Sequence, residues 1–292
     1  MESILKLKGK LKNPIVTVGT FDGVHLGHQR IMQKMVERAQ KINGDSLVVT
    51  YHPHPLEILR QEHFPYLLSE PQKKEEFLKK LGIDYVVELD FDRKMAGMDP
   101  ENFVQDCFVD KLHAVEIILG YDWHFGKNRR GDYHLLKKLQ TKYGFKVDMI
   151  NEVLLDQQIV SSTKIRDYLG EGNVEFVNKM LGRDYQILGT TGKSIKSKKC
   201  NSYKSVFAKH TSRKLLPKSG VYLAEIELNN EKIKILLDIP LKPDTDQVNL
   251  YSSQKIFKRT APIEIALKKN IHSSIENLDK NSLQKLLHTN NN

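Results

Sequence analysis

GTFDGVHLGHQRIM, Gly19 to Met32, sets two glycines and two histidines between an apolar run and a helical pattern. Ile15 to Val18, just before it, reads as a buried strand. After it, Ile31, Met35, Ala39 and Ile42 recur at helical spacing, and Gly44 marks the expected end. Gly19 then ends the strand, Gly23 permits a tight backbone path, and the helix starts near Leu26 to His28. A turn of this kind lies at the carboxyl end of a parallel strand. Its unpaired N–H groups and the positive end of the helix dipole suit an anion, and His25 and His28, spaced i and i+3, project to one side. Imidazoles at such a mouth donate to phosphate oxygens and stabilise charge that develops during phosphoryl or nucleotidyl transfer.

Outward from this turn, short β-branched runs alternate with helical patterns through roughly the first 180 residues. SLVVTY (46–51), DYVVEL (84–89), VEIILG (115–120) and KVDMI (146–150) join IVTV as five buried strands. Between them, Ser69 is expected to cap a helix that stops at Gly82, Asp99 or Pro100 opens another, and Asp132 opens a third that ends at Gly144. The alternation implies an α/β module, a parallel sheet with helices on both faces. Three further polar clusters follow strands: TYHPHP (50–55), GYDWHFGKNRRGD (120–132) and SSTKIR (161–166). Carboxyl ends of parallel strands share one rim, so the four motifs are expected to meet at one crevice. Each has a plain alternative. A His pair at a helix start is also capping chemistry, prolines flanking His52 and His54 also order a loop, and Ser161 to Thr163 also suits an N-cap. Tyr121, Trp123 and Phe125 read as pocket wall or core. Histidines lacking a Cys or carboxylate at ligand spacing make a poor zinc set.

The pattern changes near Leu181 to Gly189. Tyr222, Ala224, Ile226 and Leu228 share one face, and after Asn229-Asn230 so do Ile233, Ile235, Leu237 and Ile239, a hairpin pattern. With VNLYS and PIEIAL following, the second module reads as a small, mostly antiparallel β-barrel ending in a helical tail, SIENLDKNSLQKLLH. Domains are expected over 1–183 and 184–292. No stretch reaches membrane-spanning length, the first residues lack a signal-peptide pattern, and Cys107 and Cys200 are expected as free thiols, all suiting a cytoplasmic protein. The net charge of +10 favours anionic partners. Nine lysines and arginines between Asp184 and Glu225 (Lys193, Lys196, Lys198, Lys199, Lys204, Lys209, Arg213, Lys214, Lys218), with no carboxylate among them, form a solvated basic surface or loop. Regular basic and aromatic interleaving is absent, so nucleic acid is not an expected partner.

GTFDGVHLGH, TYHPHP, GYDWHFGKNRRGD and SSTKIRDYLGEGNVEFVNKMLGRDY, in this order and at these intervals, resemble the bacterial bifunctional riboflavin kinase/FAD synthetase family over about residues 10 to 190. The resemblance implies a Rossmann-like nucleotidyltransferase that adenylylates FMN with ATP and Mg²⁺. It implies nucleotide contacts at Gly19, Phe21, Asp22, Gly23, Gly27, Ser161, Ser162 and Thr163, and catalytic roles for His25, His28 and Arg166. It further implies flavin contacts at Pro53, His54, Pro55, Asp122 and Phe125, with Asp122 placing the FMN phosphate or its metal; no metal ligand is assigned. The second module departs from the family. Where relatives carry Gly-Phe-Pro-Thr-Ala-Asn, this chain reads GTTGKSIKSKKCNSYKSVFAKH, and no Glu lies between Glu231 and Glu264. A barrel that persists with its riboflavin kinase activity lost is the expectation; alternatives are an enzyme retaining both activities, or a flavin or nucleotide sensor with a basic nucleic-acid-binding second module. Oligomeric state is left open.

Overall fold

The computed structural model describes residues 2–3, 7, 9–59, 66–197, 202–211, 213–241, 247–275 and 278–288. Cys200, Lys198 and Lys199 lie outside the described residues. By contacts the chain divides into two compact units, Met1–Pro65 with Ser69–Val160, and Tyr66–Leu68 with Ser161–Asn292.

The first unit is a parallel sheet. Strands β1 (Glu2–Ser3), β2 (Ile15–Val18), β3 (Ser46–His52), β4 (Tyr85–Asp90), β5 (Glu116–Gly120) and β6 (Lys146–Ile150) run in the order β1-β4-β3-β2-β5-β6, each pair parallel. Consecutive side chains alternate between two cores, as the pleat requires. Val16, Leu47, Val49, Val87, Ile117 and Leu119 pack with Phe103, Phe108 and Leu136 on one face. Ile15, Val48, Val86 and Ile118 pack with Met32, Met35 and Leu78 on the other. The covering helices are α1 (Leu26–Ile42), α2 (Pro55–Leu59), α3 (Pro71–Lys80), α4 (Arg93–Ala96), α5 (Pro100–Phe103) and α6 (Tyr133–Tyr143). A π-helical stretch, Val104–Lys111, continues α5, and a short hairpin, β7 (Leu154–Leu155) and β8 (Gln158–Ile159), follows β6. Asp99 and Asp132 cap their helices through their carboxylates, and Gly144 ends α6 left-handed, as the sequence predicts.

Two local expectations are corrected. Asn43, not Gly44, takes the left-handed cap of α1 at φ 51°, while a Cβ on Gly44 would meet the Asn13 carbonyl at 2.4 Å. Close approach is what demands glycine there. Ser69 does not cap α3: Glu70 is the N-cap, without a side-chain cap bond, and Ser69 is engaged elsewhere.

In the second unit α7 (Ser162–Glu171) and α8 (Val174–Leu181) precede strands β9 (Tyr185–Thr191), β10 (Ile195–Lys196), β11 (Tyr203–Lys209), β12 (Gly220–Leu228), β13 (Glu231–Ile239), β14 (Gln247–Ser252) and β15 (Ala261–His272). Six of them close a barrel, β11-β14-β13-β12-β15-β9, through antiparallel pairing of β11 with β9. The hairpin β12–β13 turns at Asn229 and Asn230, φ 52° and 66°, the backbone a two-residue turn needs. The tail helix α9 is shorter than the sequence suggests, Lys280–His288, with Leu287 buried beside Val221 and Leu236. Tyr66–Leu68 are held in this unit by a parallel bridge from Leu67 to Lys214, by Leu67 N–H to the Arg213 carbonyl (2.8 Å) and by the Lys214 ammonium on the Leu68 carbonyl.

Candidate active site

The three strands whose carboxyl ends carry the polar motifs, β3, β2 and β5, are neighbours in the sheet. The chain winds from β2 to β3 and β4 on one side, then places β5 and β6 on the other. The switch point thus lies between β2 and β5, where crevices open in such sheets. TYHPHP, GTFDGVHLGH and GYDWHFG stand side by side on that rim. SSTKIR opens α7, at the start of the second unit.

The turn after β2 is built from unusual backbone. Phe21, Gly23 and Val24 have φ of 47°, 84° and 39°, the left-handed region that costs a β-branched residue such as valine most. Gly19 is needed because a Cβ there would stand 2.9 Å from the Phe21 ring. His25 then becomes the N-cap of α1, its Nδ1 accepting the His28 N–H at 3.4 Å. The two imidazoles stack, centroids 3.6 Å apart and planes 20° from parallel, and the Phe21 ring meets His28 edge-on at 5.1 Å. A Cβ on Gly27 would lie 3.1 Å from His25 Cε1 and Nδ1, so the glycine makes room for this ring. Because His25 Nδ1 accepts, a neutral His25 carries its proton on Nε2.

Beneath the turn lies a polar network that the sequence reading missed. Ser69 donates its N–H to Asp22 Oδ1 at 3.0 Å, and its hydroxyl accepts the Gly23 N–H at 3.0 Å. Lys74, 8% exposed, donates to Thr50 Oγ1 at 2.8 Å and to the Thr20 carbonyl at 3.3 Å, while Thr50 Oγ1 also donates to Thr20 at 3.3 Å. Burial draws the Lys74 ammonium below its ordinary value, and Asp22 and Glu88 oppose that shift. A signal existed: Lys74 lies four residues before the buried Leu78, on the inward face of α3.

Elsewhere on the rim, Pro53 and Pro55 flank His54, whose Nδ1 accepts the Leu56 N–H at 3.2 Å, so this imidazole also orders its loop. Asp122 is exposed, with its carbonyl 2.9 Å from His124 Nδ1. Phe125 is 5% exposed and packs on Phe103 in the core; Trp123, partly exposed, stacks on it at 4.4 Å. In the second unit Ser161 caps α7, its hydroxyl accepting the Lys164 N–H at 3.3 Å. Ser162, Thr163 and Arg166 fall in the first turns of that helix, and Arg166 Nε donates to the Tyr66 carbonyl at 3.0 Å. Among the described residues no three His, Cys, Asp or Glu side chains are grouped to hold a metal, and no helix is long and apolar enough to cross a membrane.

Comparison with known proteins points the same way as this geometry. The FAD synthetase family matches residues 7–164. A protein described as a bifunctional riboflavin kinase/FMN adenylyltransferase from Buchnera aphidicola subsp. Schizaphis graminum is 32% identical over 258 residues, 87% of this chain and 80% of its own length. Another with that description from Buchnera aphidicola subsp. Acyrthosiphon pisum is 31% identical over 244 residues, covering 83% and 78%. Among solved structures, one described as a macrolide-efflux protein from Streptococcus pneumoniae superposes with a TM-score of 0.78 over 98% of this chain and 93% of its own; at 21% identity it shares the fold. A rim bearing His-x-Gly-His at the switch of a parallel sheet, a closed barrel after it, and these matches across both place the chain in the FAD synthetase family of bacterial bifunctional riboflavin kinase/FMN adenylyltransferases.

Proposed function

We propose that this protein transfers the adenylyl group of ATP to FMN, giving FAD and pyrophosphate, and that its barrel no longer phosphorylates riboflavin. The first half rests above all on the stacked His25–His28 pair at the start of α1, on the switch-point rim of the sheet. An oxygen of the FMN phosphate attacks the α-phosphorus of ATP, the bond to the β-phosphate breaks, and pyrophosphate leaves; no covalent enzyme intermediate is needed. Gly19, Phe21, Asp22, Gly23 and Gly27 shape the turn that receives the triphosphate, and Ser161, Ser162 and Thr163 supply hydroxyl and N–H donors from the start of α7. His25, with its proton on Nε2, and His28 donate to phosphate oxygens where negative charge grows. Arg166, its guanidinium plane anchored by the Tyr66 carbonyl, neutralises the departing pyrophosphate. Pro53, His54 and Pro55 border the flavin, Asp122 faces its phosphate, and Phe125 backs Trp123 from the core.

Asp122, exposed on the rim, is the carboxylate that would hold Mg²⁺ together with substrate phosphates and water. When bound, the ion offsets phosphate charge. The adenylylation module is taken as 1–183 and the barrel module as 184–292.

Loss of kinase activity is inferred from GTTGKSIKSKKCNSYKSVFAKH standing in place of the family's phosphate-binding segment and from the missing Glu between Glu231 and Glu264. The second reading, retention of both activities, is favoured by the bifunctional descriptions of the relatives. Incubation with ATP and Mg²⁺, with riboflavin in one tube and FMN in the other, separates them. FAD from FMN alone is expected. FMN or FAD from riboflavin would establish the bifunctional reading, and no product in either tube would leave the sensor alternative. His28→Ala and Arg166→Ala are each expected to lower turnover by about 100-fold or more with the circular-dichroism spectrum unchanged. Wild-type turnover in either folded variant removes that residue from the mechanism.

A further inference from the structure

We propose that Ser69 and Lys74, at the entry to α3, are positioning residues of the nucleotide site, which hold the turn after β2 in the shape that receives ATP. The inference rests on the reading of that turn as a triphosphate site.

The turn cannot keep its shape on local preference alone. Two non-glycine residues, Phe21 and Val24, sit at positive φ, and such backbone persists only where surroundings over-determine it. Those surroundings come largely from one short segment. Ser69 ties Asp22 through its N–H and Gly23 through its hydroxyl, and Lys74 ties Thr20 through its ammonium. Residues 20, 22 and 23 are thereby fixed from residues 69 and 74, just before the His-x-Gly-His begins at His25. Lys74 adds a bond to Thr50 Oγ1 at the end of β3, so two neighbouring strand ends are registered against each other.

Scaffolding alone does not call for a cation. A buried ammonium loses much hydration, and an apolar side chain of similar length would pack at lower cost. Asp22 and Glu88 favour the charged form, and Glu88 Oε1 is buried without a hydrogen-bond partner among the described residues. What the ammonium supplies is a counter-charge to those carboxylates directly behind a turn that receives a polyanion, in a setting where water screens their repulsion poorly. Lys74 touches no substrate in this scheme; it acts through the Thr20 carbonyl and the turn.

The test uses the full-length protein with Lys74→Met and, because a buried substitution risks the fold, Ser69→Ala, which removes one hydroxyl and strands no charge. FMN adenylylation is measured with each substrate varied in turn. Lys74→Met is expected to lower kcat/KM for ATP by roughly 30-fold and Ser69→Ala by roughly 5-fold, with the KM for FMN moving by less than about twofold. A general loosening of the fold would instead degrade both substrates together. Binding of Mg²⁺ with α,β-methylene-ATP is measured by calorimetry in the same proteins. Wild-type protein that binds this analogue but makes no FAD sinks the reaction assignment, while weaker analogue binding by the variants still supports the positioning role. Unchanged ATP kinetics or unchanged analogue binding in a folded variant, a parallel loss for ATP and FMN, or no analogue binding by the wild type overturns it.

Discussion

Cys107 lies on the π-helical stretch, sealed in the core with Phe103, Phe108 and Val104, and its burial pushes the thiol up to about 12. Thiolate is the reactive form, so Cys107 is expected to resist alkylation in the native protein at mildly alkaline pH and to react fully after denaturation. Peptide mapping reads the result, and native labelling at the rate of an exposed cysteine would contradict the buried placement. The same shift has a stability consequence. The folded value lies above the ordinary 9.0, so the contribution is present in full below that pH and is lost as pH rises towards about 12. Glu116 presents the opposite problem, a carboxylate 5% exposed at the start of β5. Arg38 on α1 meets it with two prongs, Nε at 3.0 Å and Nη2 at 2.8 Å from Oε2. Removing the partner strands the charge, so Arg38→Met is expected to cost about 3 kcal/mol, with Glu116→Gln added in the same chain restoring part of it. Urea midpoints decide; a double variant no more stable than the single one would show that packing, not charge, sets the cost.

Helix α1 joins the sheet to the chemistry, and Gly27 is where the two demands conflict. Gly27 is the second residue of α1, where the roughly 1 kcal/mol that glycine costs in a helix interior is only partly felt, so Gly27→Ala gains at most a fraction of it. Its new Cβ would press on the His25 ring at 3.1 Å, a contact that must be relieved by moving the imidazole. The variant is expected to keep or slightly raise the melting temperature while losing roughly tenfold or more in adenylylation. Unimpaired turnover would mean that the ring position is not critical. Elements of this kind were legible in the sequence wherever one short-range pattern dominates. Continuous β-branched runs mark strands buried on both faces, Asp99 and Asp132 mark helix starts, and Asn229-Asn230 marks the barrel hairpin. Patterns fail where a residue serves a distant partner. Ser69 looks like a cap but bonds Asp22 and Gly23, 47 and 46 residues away. Gly44 looks like a helix stop but serves the Asn13 carbonyl.

Across the whole chain, barrel closure makes the same point: the pairing of Phe207 with Thr191 and Lys209 with Gly189 joins strands whose alternation was readable but whose register was not. A closed barrel has no exposed sheet edge to protect, so it persists on hydrophobic alternation even where a motif has changed. The fold of the second unit thus rests on its alternating strands, which keeps the family's architecture recognisable there. Net charge is the other property of the whole molecule. The protein carries +10, and ATP and FMN are both anions. A field of that sign raises the local concentration of either substrate and weakens as salt shortens its reach, to about 8 Å at physiological ionic strength. The kcat/KM for ATP and for FMN is therefore expected to fall roughly 3- to 10-fold between about 20 and about 200 mM monovalent salt, with kcat at saturation little changed. Salt-independent kcat/KM would confine the excess lysines to a solvation role. Steep salt-sensitive binding of random-sequence RNA or DNA, with no salt effect on turnover, would assign the charge to a different partner.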